Sequence, residues 1–403
     1  MLLYHDSFLE QEGKLVGMRN KVTWIVVIAL CCLTTWELYC NLLVYVTSVD
    51  TDLQQKLTRK RAVPGQRELT NHNPYTVRGD PVQHIAFIKV HKSASTTVEN
   101  IFLRYGYEND LVFALPRKND RGGIKVLIQQ NILPIPKGKH IDIFCTHVRY
   151  IKEDFKRLMP SDTVYIGIVR EPFSQFESSV RFLRQKAVID IPGNNPVHEY
   201  LAHNEKYMKY GGDRIPTTYN LMSYDFGFPI DLFWNTDYDA IQDYLIKIND
   251  EFDIVLVMEY LDESIVLMRR LLNWDMRHVL YGKLNAKKGV DPRLKFGPSE
   301  EKLYQNWAKL DYALYYFFLQ KYKERIQNQP PDFFEELKYF KETRVKYDHF
   351  CSTLITGNST KSKLAFEGSP WNKPFIITKE HCEKLYIHDV TFINMIKRRH
   401  MGH

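Results

Sequence analysis

Three residues able to carry charge or move a proton fall just beyond short β-rich apolar runs. Lys92 follows 84–90, His147 follows 141–146 and Arg170 follows 163–169. In open α/β sheets ligands bind outside the carboxyl ends of the strands, so the three could converge on one pocket. Lys92 opens the run Lys92-Ser93-Ala94-Ser95-Thr96-Thr97, a hydroxyl-rich loop leading into a helical pattern. Backbone N–H groups at a helix start, Ser and Thr hydroxyls and a Lys together make a phosphate cradle. A nucleotide P-loop is excluded, because both glycines of G-x-x-x-x-G-K-[ST] are missing. A helix capped by Ser95 or Thr96 reads the same segment without a ligand.

In the second run, Arg170-Glu171-Pro172, the proline suits the first turn of a helix. Arg170 then stands at a strand end and Ser178 about two turns along the helix, where both could hold a second phosphate. Pairing of Arg170 with Glu171 is the structural alternative. His147 at a strand mouth is a candidate general base near neutral pH, with His91 in the cradle as a weaker rival. A structural histidine is the alternative reading of His147. Neither HExxH nor CxxC spacing occurs and no carboxylate cluster is evident, so no metal is expected. A serine hydrolase is excluded for want of G-x-S-x-G.

The elements that must position these residues follow from patterning. Strands are expected at 84–90, 141–146, 163–169 and 253–258, with helices at 96–104, 172–184, 262–272 and 301–321. Alternation of this kind gives an α/β fold, a mostly parallel sheet flanked by helices. The aromatic face of 301–321 reads as core packing, and 190–229, rich in Pro, Gly and Tyr, reads as a substrate loop. The chain has 403 residues, 44% hydrophobic and 26% charged, with mean hydropathy −0.37. That composition excludes disorder, collagen-like repeats and a multi-spanning membrane protein. A net charge of +7 suits anionic ligands but is mild for a nucleic-acid binder.

The segment 22–46 is mostly apolar with Glu37 the one charge inside it, and spanning a bilayer takes about 20 such residues. Lys14, Arg19 and Lys21 precede it while Asp50 and Asp52 follow, which leaves the N-terminus in the cytosol. The expected organisation is a cytoplasmic tail (1–21), a transmembrane signal anchor (22–46), a stem (47–81) and a lumenal body (82–403). In an oxidising lumen Cys351 and Cys382 are the expected disulfide pair and Cys145 a buried thiol. Asn358-Ser359-Thr360 is a glycosylation sequon.

Lys92-Ser93-Ala94-Ser95-Thr96 resembles the 5′-phosphosulfate loop of carbohydrate sulfotransferases that use the donor PAPS. Arg170 with Ser178 resembles their 3′-phosphate site. Runs at 252–264, 280–286, 220–227 and 176–179 are similar to stretches of the galactose-3-O-sulfotransferases, the group that includes galactosylceramide sulfotransferase. The resemblance spans roughly 82–325. It implies a P-loop-like sulfotransferase domain in the Golgi membrane that transfers a sulfonate from PAPS to a galactose hydroxyl of a glycolipid or glycoprotein glycan. Lys92, Ser93, Ser95, Thr96, Thr97, Arg170 and Ser178 would bind the donor, with Lys92 assisting departure of the bridging phosphate oxygen. His147 falls where related 2-O-sulfotransferases put their base. Ser93-Ala94 stands where Thr-Gly is frequent in the family, a departure that bears on any contact needing a positive φ there. The competing class is an inactive membrane-anchored glycan-binding protein of the same fold. A homodimer and a membrane contact through the single span are further expectations.

Overall fold

The computed structural model describes residues 79–117, 124, 127–183, 185–207, 217–282, 291–358 and 361–401, all within the unit Thr70–His403. The tail, the expected span at 22–46 and the stem as far as residue 78 lie outside the described residues. Among those described, no helix is long and apolar enough to cross a membrane.

Four strands form a parallel sheet in the order β2-β1-β3-β4: β1 (Ile85–Phe87), β2 (Ile143–Phe144), β3 (Val164–Val169) and β4 (Ile254–Val257). All four expected strands are present, each shorter than its apolar run. Their residues are almost wholly buried, as in a parallel sheet covered on both faces. The helices include α1 (Ser95–Glu108), α2 (Lys152–Leu158), α3 (Pro172–Leu183), α4 (Tyr238–Glu251) and α5 (Leu261–Leu272). The chain runs from β1 to β2 on one side and then crosses from β2 to β3 on the other side of β1, so the order reverses between β1 and β3. Open sheets of this type bind ligands at that switch point.

The helical run expected at 301–321 is two helices, α6 (Pro298–Trp307) and α7 (Lys309–Gln327), broken at Ala308. The break frees the Asp311 N–H from its intrahelical partner, and it donates to Asn220 Oδ1 (3.1 Å) instead. A tertiary hydrogen bond thus replaces a local one that periodicity alone would favour. The aromatic stripe is largely core, with Leu310, Leu314 and Phe318 buried.

The described parts of the expected loop, 190–207 and 217–229, carry structure of their own. Short helices occupy Pro196–Ala202 and Leu221–Asp225, and Phe226 and Phe228 are fully buried. Gly167 in β3 makes room for Phe226, whose ring would meet a Cβ at 2.8 Å. Gly227 sits at φ +80°, and a Cβ there would collide with the Tyr150 carbonyl oxygen. This turn is therefore pressed against the sheet rather than left to solvent.

Beyond the resembling region the chain adds α8 (Pro331–Ile355), a hairpin of β5 (Lys363–Phe366) and β6 (Phe375–Thr378), α9 (Lys379–Tyr386) and α10 (Asp389–Met401). A disulfide joins Cys351 of α8 to Cys382 of α9, while Cys145 is a buried thiol.

Candidate active site at the carboxyl end of the sheet

The loop leaving β1 turns sharply because two non-glycine residues take left-handed conformations, Lys92 at φ 60° and Ala94 at φ 58°. Each such residue costs about 1–2 kcal/mol, so the surrounding contacts must impose the shape. Ser95 does so by donating from Oγ to the Val90 carbonyl (2.5 Å), and buried Ser93 donates to the His91 carbonyl (3.3 Å). Ala94 adopts the positive φ that a glycine would adopt more readily, so the turn survives the departure from Thr-Gly. The two serines shape the loop through their hydroxyls. Thr96 is exposed and Thr97 half-buried in the first turn of α1, where the Thr97 N–H donates to the Ala94 carbonyl (3.0 Å).

Arg170, at the end of β3, donates from Nη1 to the Lys92 carbonyl (3.0 Å), which ties the two sides of the switch point together. Its Nε is buried and has no hydrogen-bond partner among the described residues. Glu171 is not its partner: that carboxylate accepts from the Phe173 and Ser174 N–H groups (2.9 and 2.7 Å) and starts α3. Burial pulls the Arg170 pKa down, with Glu259, Glu171 and Glu177 opposing from a distance. A guanidinium so placed is a natural seat for an anion, and the orphaned Nε fits the phosphate of the implied donor.

Ser178 lies on the face of α3 turned toward this loop. Gln175, three residues before it, donates to the His91 carbonyl (2.9 Å), and the ring of Phe182, four residues after it, carries the Lys92 ammonium 3.3 Å from its centroid. Lys92 thus meets Arg170 through its carbonyl, while its side chain rests on α3.

His147, just past β2, stacks on His91 with centroids 3.9 Å apart and planes 16° apart. His147 Nδ1 lies 2.7 Å from the Lys89 carbonyl, which can only accept, so Nδ1 carries the proton and Nε2 keeps its lone pair. Burial pushes its pKa well below 6.5, helped by the charges on His91, Lys89 and Lys92 and only partly offset by the hydrogen bond to the Lys89 carbonyl. His91 shifts the other way. Burial lowers it, but Asp225 outweighs burial by accepting from both the His91 N–H (2.7 Å) and Nδ1 (2.8 Å), so the net shift is upward. The pair therefore holds one imidazole neutral beside one that favours its proton.

The Lys89 carbonyl is itself fixed from behind. Its ammonium is buried between Glu99 of α1 (2.5 Å) and Asp389 of α10 (3.1 Å). Burial pushes the Glu99 carboxyl up to about 7 against the opposing charge of Lys89. Arg149, close to His147 in sequence, is committed to the backbone, donating to the Phe228 carbonyl (2.7 Å).

Sequence reasoning missed Asp225, Gln175, Phe182 and the role of the Lys89 carbonyl. Asp225 falls inside the 220–227 run that carried part of the resemblance, which was the one available signal. Within that same run Met222 Sδ accepts from the Arg170 N–H (3.5 Å), and Ser223 donates to buried Asp311 from both N (2.8 Å) and Oγ (2.7 Å). The Glu259 carboxylate of the 252–264 run accepts from the Glu171 N–H (2.8 Å). Both runs therefore brace the end of β3. Asn358 is exposed and distant in sequence from all of these.

The profile of the family described as galactose-3-O-sulfotransferase matches residues 14–361. Galactose-3-O-sulfotransferase 3 of Mus musculus is 28% identical over 78% of this chain and 77% of its own length. Galactosylceramide sulfotransferase of Mus musculus is 30% identical over 72% and 69%. Galactose-3-O-sulfotransferase 2 of Mus musculus is 30% identical over 69% and 72%. With a parallel sheet whose carboxyl end gathers Lys92, His147 and Arg170, and with a family match over most of its length, the chain belongs to the galactose-3-O-sulfotransferase family of sulfotransferase enzymes.

Proposed function

We propose that the protein transfers a sulfonate group from PAPS to a galactose hydroxyl, at the 3-position as the names of its relatives indicate, on a glycolipid or glycoprotein glycan. The observation that carries this reading is the tautomer of His147: the Lys89 carbonyl holds Nδ1–H, which leaves Nε2 as a neutral acceptor beside an anion cradle. PAPS, when bound, supplies an activated sulfonate on a phosphate leaving group. His147 Nε2 takes the proton of the attacking hydroxyl. Arg170 and Ser178 hold the 3′-phosphate, and the α1 N-terminus with Ser93, Ser95, Thr96 and Thr97 surrounds the 5′-phosphate. Lys92, within reach of the same loop, stabilises charge on the leaving oxygen. Burial lowers the His147 pKa first, and Asp225 adds to this by favouring the charged form of His91 beside it.

The test is incubation of the full chain with radiolabelled PAPS and a panel of β-galactosides, with the linkage position read by glycosidic and methylation analysis. Label on a galactose hydroxyl is expected. Galactoside binding without transfer would point to the inactive glycan-binding protein. We further propose a type II Golgi enzyme with the body in the lumen and a glycan on exposed Asn358. Protease added to intact microsomes should spare the body, and digestion of residues 82–403 would refute this orientation.

A further inference from the structure

At the opposite, amino end of the same sheet, three side chains that no step of the proposed chemistry uses point at one another. His84 immediately precedes β1, and His140 and Asp142 precede β2. His84 Nε2 and His140 Nε2 are 2.9 Å apart, His140 Nε2 is 3.0 Å from Asp142 Oδ1, and His84 Nε2 is 3.6 Å from the same oxygen. We propose that these residues bind a divalent ion of the zinc class, which staples the amino ends of the central strands.

Geometry is the first argument. Ligands of a tetrahedral zinc ion at about 2.0–2.1 Å lie about 3.3 Å from one another, and the three observed separations bracket that value. Proton bookkeeping is the second. His84 Nδ1 lies 2.7 Å from Asp162 Oδ1, so in the neutral ring Nδ1 carries the proton and Nε2 presents a lone pair. The Asp142 oxygen also presents lone pairs, and the neutral His140 ring has one N–H at most to share between both acceptors. A cation at the centre satisfies all three at once. Asp162 on His84 Nδ1 is moreover the carboxylate–histidine arrangement that fixes the tautomer of metal-bound imidazoles.

The backbone beneath the three ligands is rigid. Ile85 N donates to the Asp142 carbonyl (2.8 Å) and Val164 N to the His84 carbonyl (2.9 Å), and Asp142 Oδ2 accepts from Val112 N (2.6 Å). Two imidazoles and one carboxylate suit zinc rather than calcium or magnesium, which prefer all-oxygen sets. Three protein ligands leave a further position for water. The site and the chemistry lie at opposite ends of β2: Asp142 immediately precedes the strand and His147 follows it. What the ion would reinforce is the edge strand β2, whose ladder with β1 spans only two residue pairs. That same strand delivers His147.

The test uses the untagged full chain in detergent, stripped with a chelator, dialysed against micromolar zinc and assayed for bound metal by mass spectrometry. Wild type should hold about one zinc ion per chain and gain a few degrees in melting temperature on loading. His140→Ala, at a side chain 59% exposed, should fold normally by circular dichroism and lose both the metal and the thermal gain. Asp162→Ala, which touches the site only through His84, should bind zinc 10–100-fold more weakly. His203→Ala, an exposed histidine elsewhere, should match wild type. Absence of zinc from the wild-type chain, or equal zinc in wild type and His140→Ala, would overturn the proposal.

Discussion

Two groups of buried charge in this molecule are built on opposite plans. Between α5 and α8, Arg269 and Arg270 both close on the Glu336 carboxylate, and Arg270 reaches Asp332 as well (2.8 Å). At the carboxyl end of the sheet, the Arg170 guanidinium meets the Lys92 carbonyl but no carboxylate within ion-pair distance among the described residues. A half-buried cation with no counter-ion at hand has lost part of its hydration, and such a place suits an anion from outside. Charge that is matched internally holds the helices together. Charge that is left unmatched marks the place where a ligand is expected.

That contrast can be broken most sharply at His147. Removing a general base typically costs about 10²–10⁴-fold in turnover, so His147→Ala should lower kcat by that order in a steady-state assay while donor binding persists. A variant with near-wild-type turnover would make His147 structural and return His91 as the candidate. On the matched side, Glu336→Gln takes from Arg269 its carboxylate partner and leaves Arg270 with Asp332 alone. Chemical denaturation should show a loss of about 3–5 kcal/mol, with donor affinity unchanged in the protein that remains folded.

Arg170→Ala should produce the reverse pattern. Loss of a charge-assisted phosphate contact is worth about 1.5–3 kcal/mol, so calorimetry with adenosine 3′,5′-bisphosphate should show affinity about 10–100-fold weaker. Thermal stability should hold or rise, because the substitution also removes a half-buried charge. Equal affinity in wild type and variant would place the 3′-phosphate elsewhere.

The smallest effect concerns the coupling of the stacked imidazoles. Asp225→Asn removes the carboxylate that raises the His91 pKa, and a His91 that holds its proton less firmly pushes the His147 pKa down less. The acid limb of kcat should then move to higher pH. An unmoved limb would show that the two rings do not communicate.

The sequence announced the parts of this site that depend on local order and hid those that depend on tertiary placement. Apolar runs end at Lys92, His147 and Arg170, and a strand-to-loop step is visible in residue types alone. Pro172 likewise marked the start of α3. Nothing local shows that Lys89 turns its carbonyl toward His147, because that orientation comes from Glu99 and from Asp389, 300 residues away. Asp225 lay in a stretch rich in turn residues, where a buried partner and an exposed loop look alike. The split at Ala308 escaped periodicity because Asn220, distant in the chain, supplies the substitute hydrogen bond. His84, His140 and Asp142 share no motif spacing, so only the parallel pairing of β1 with β2 brings them together.

The account stands most directly on His147 being a neutral base whose pKa lies below that of an ordinary histidine. The measurement is the pH dependence of wild-type kcat/KM at low donor and acceptor, which reports the base in the unliganded enzyme. Protonating the base removes its lone pair, so turnover must fall on the acid side, and the downward shift places that fall below about pH 6.5. A flat profile above that pH, with a single acid limb beneath it that His147→Ala abolishes along with most of the rate, is the predicted result. Turnover that instead rises as the pH drops through 6.5, or an acid limb that survives in His147→Ala, would contradict it.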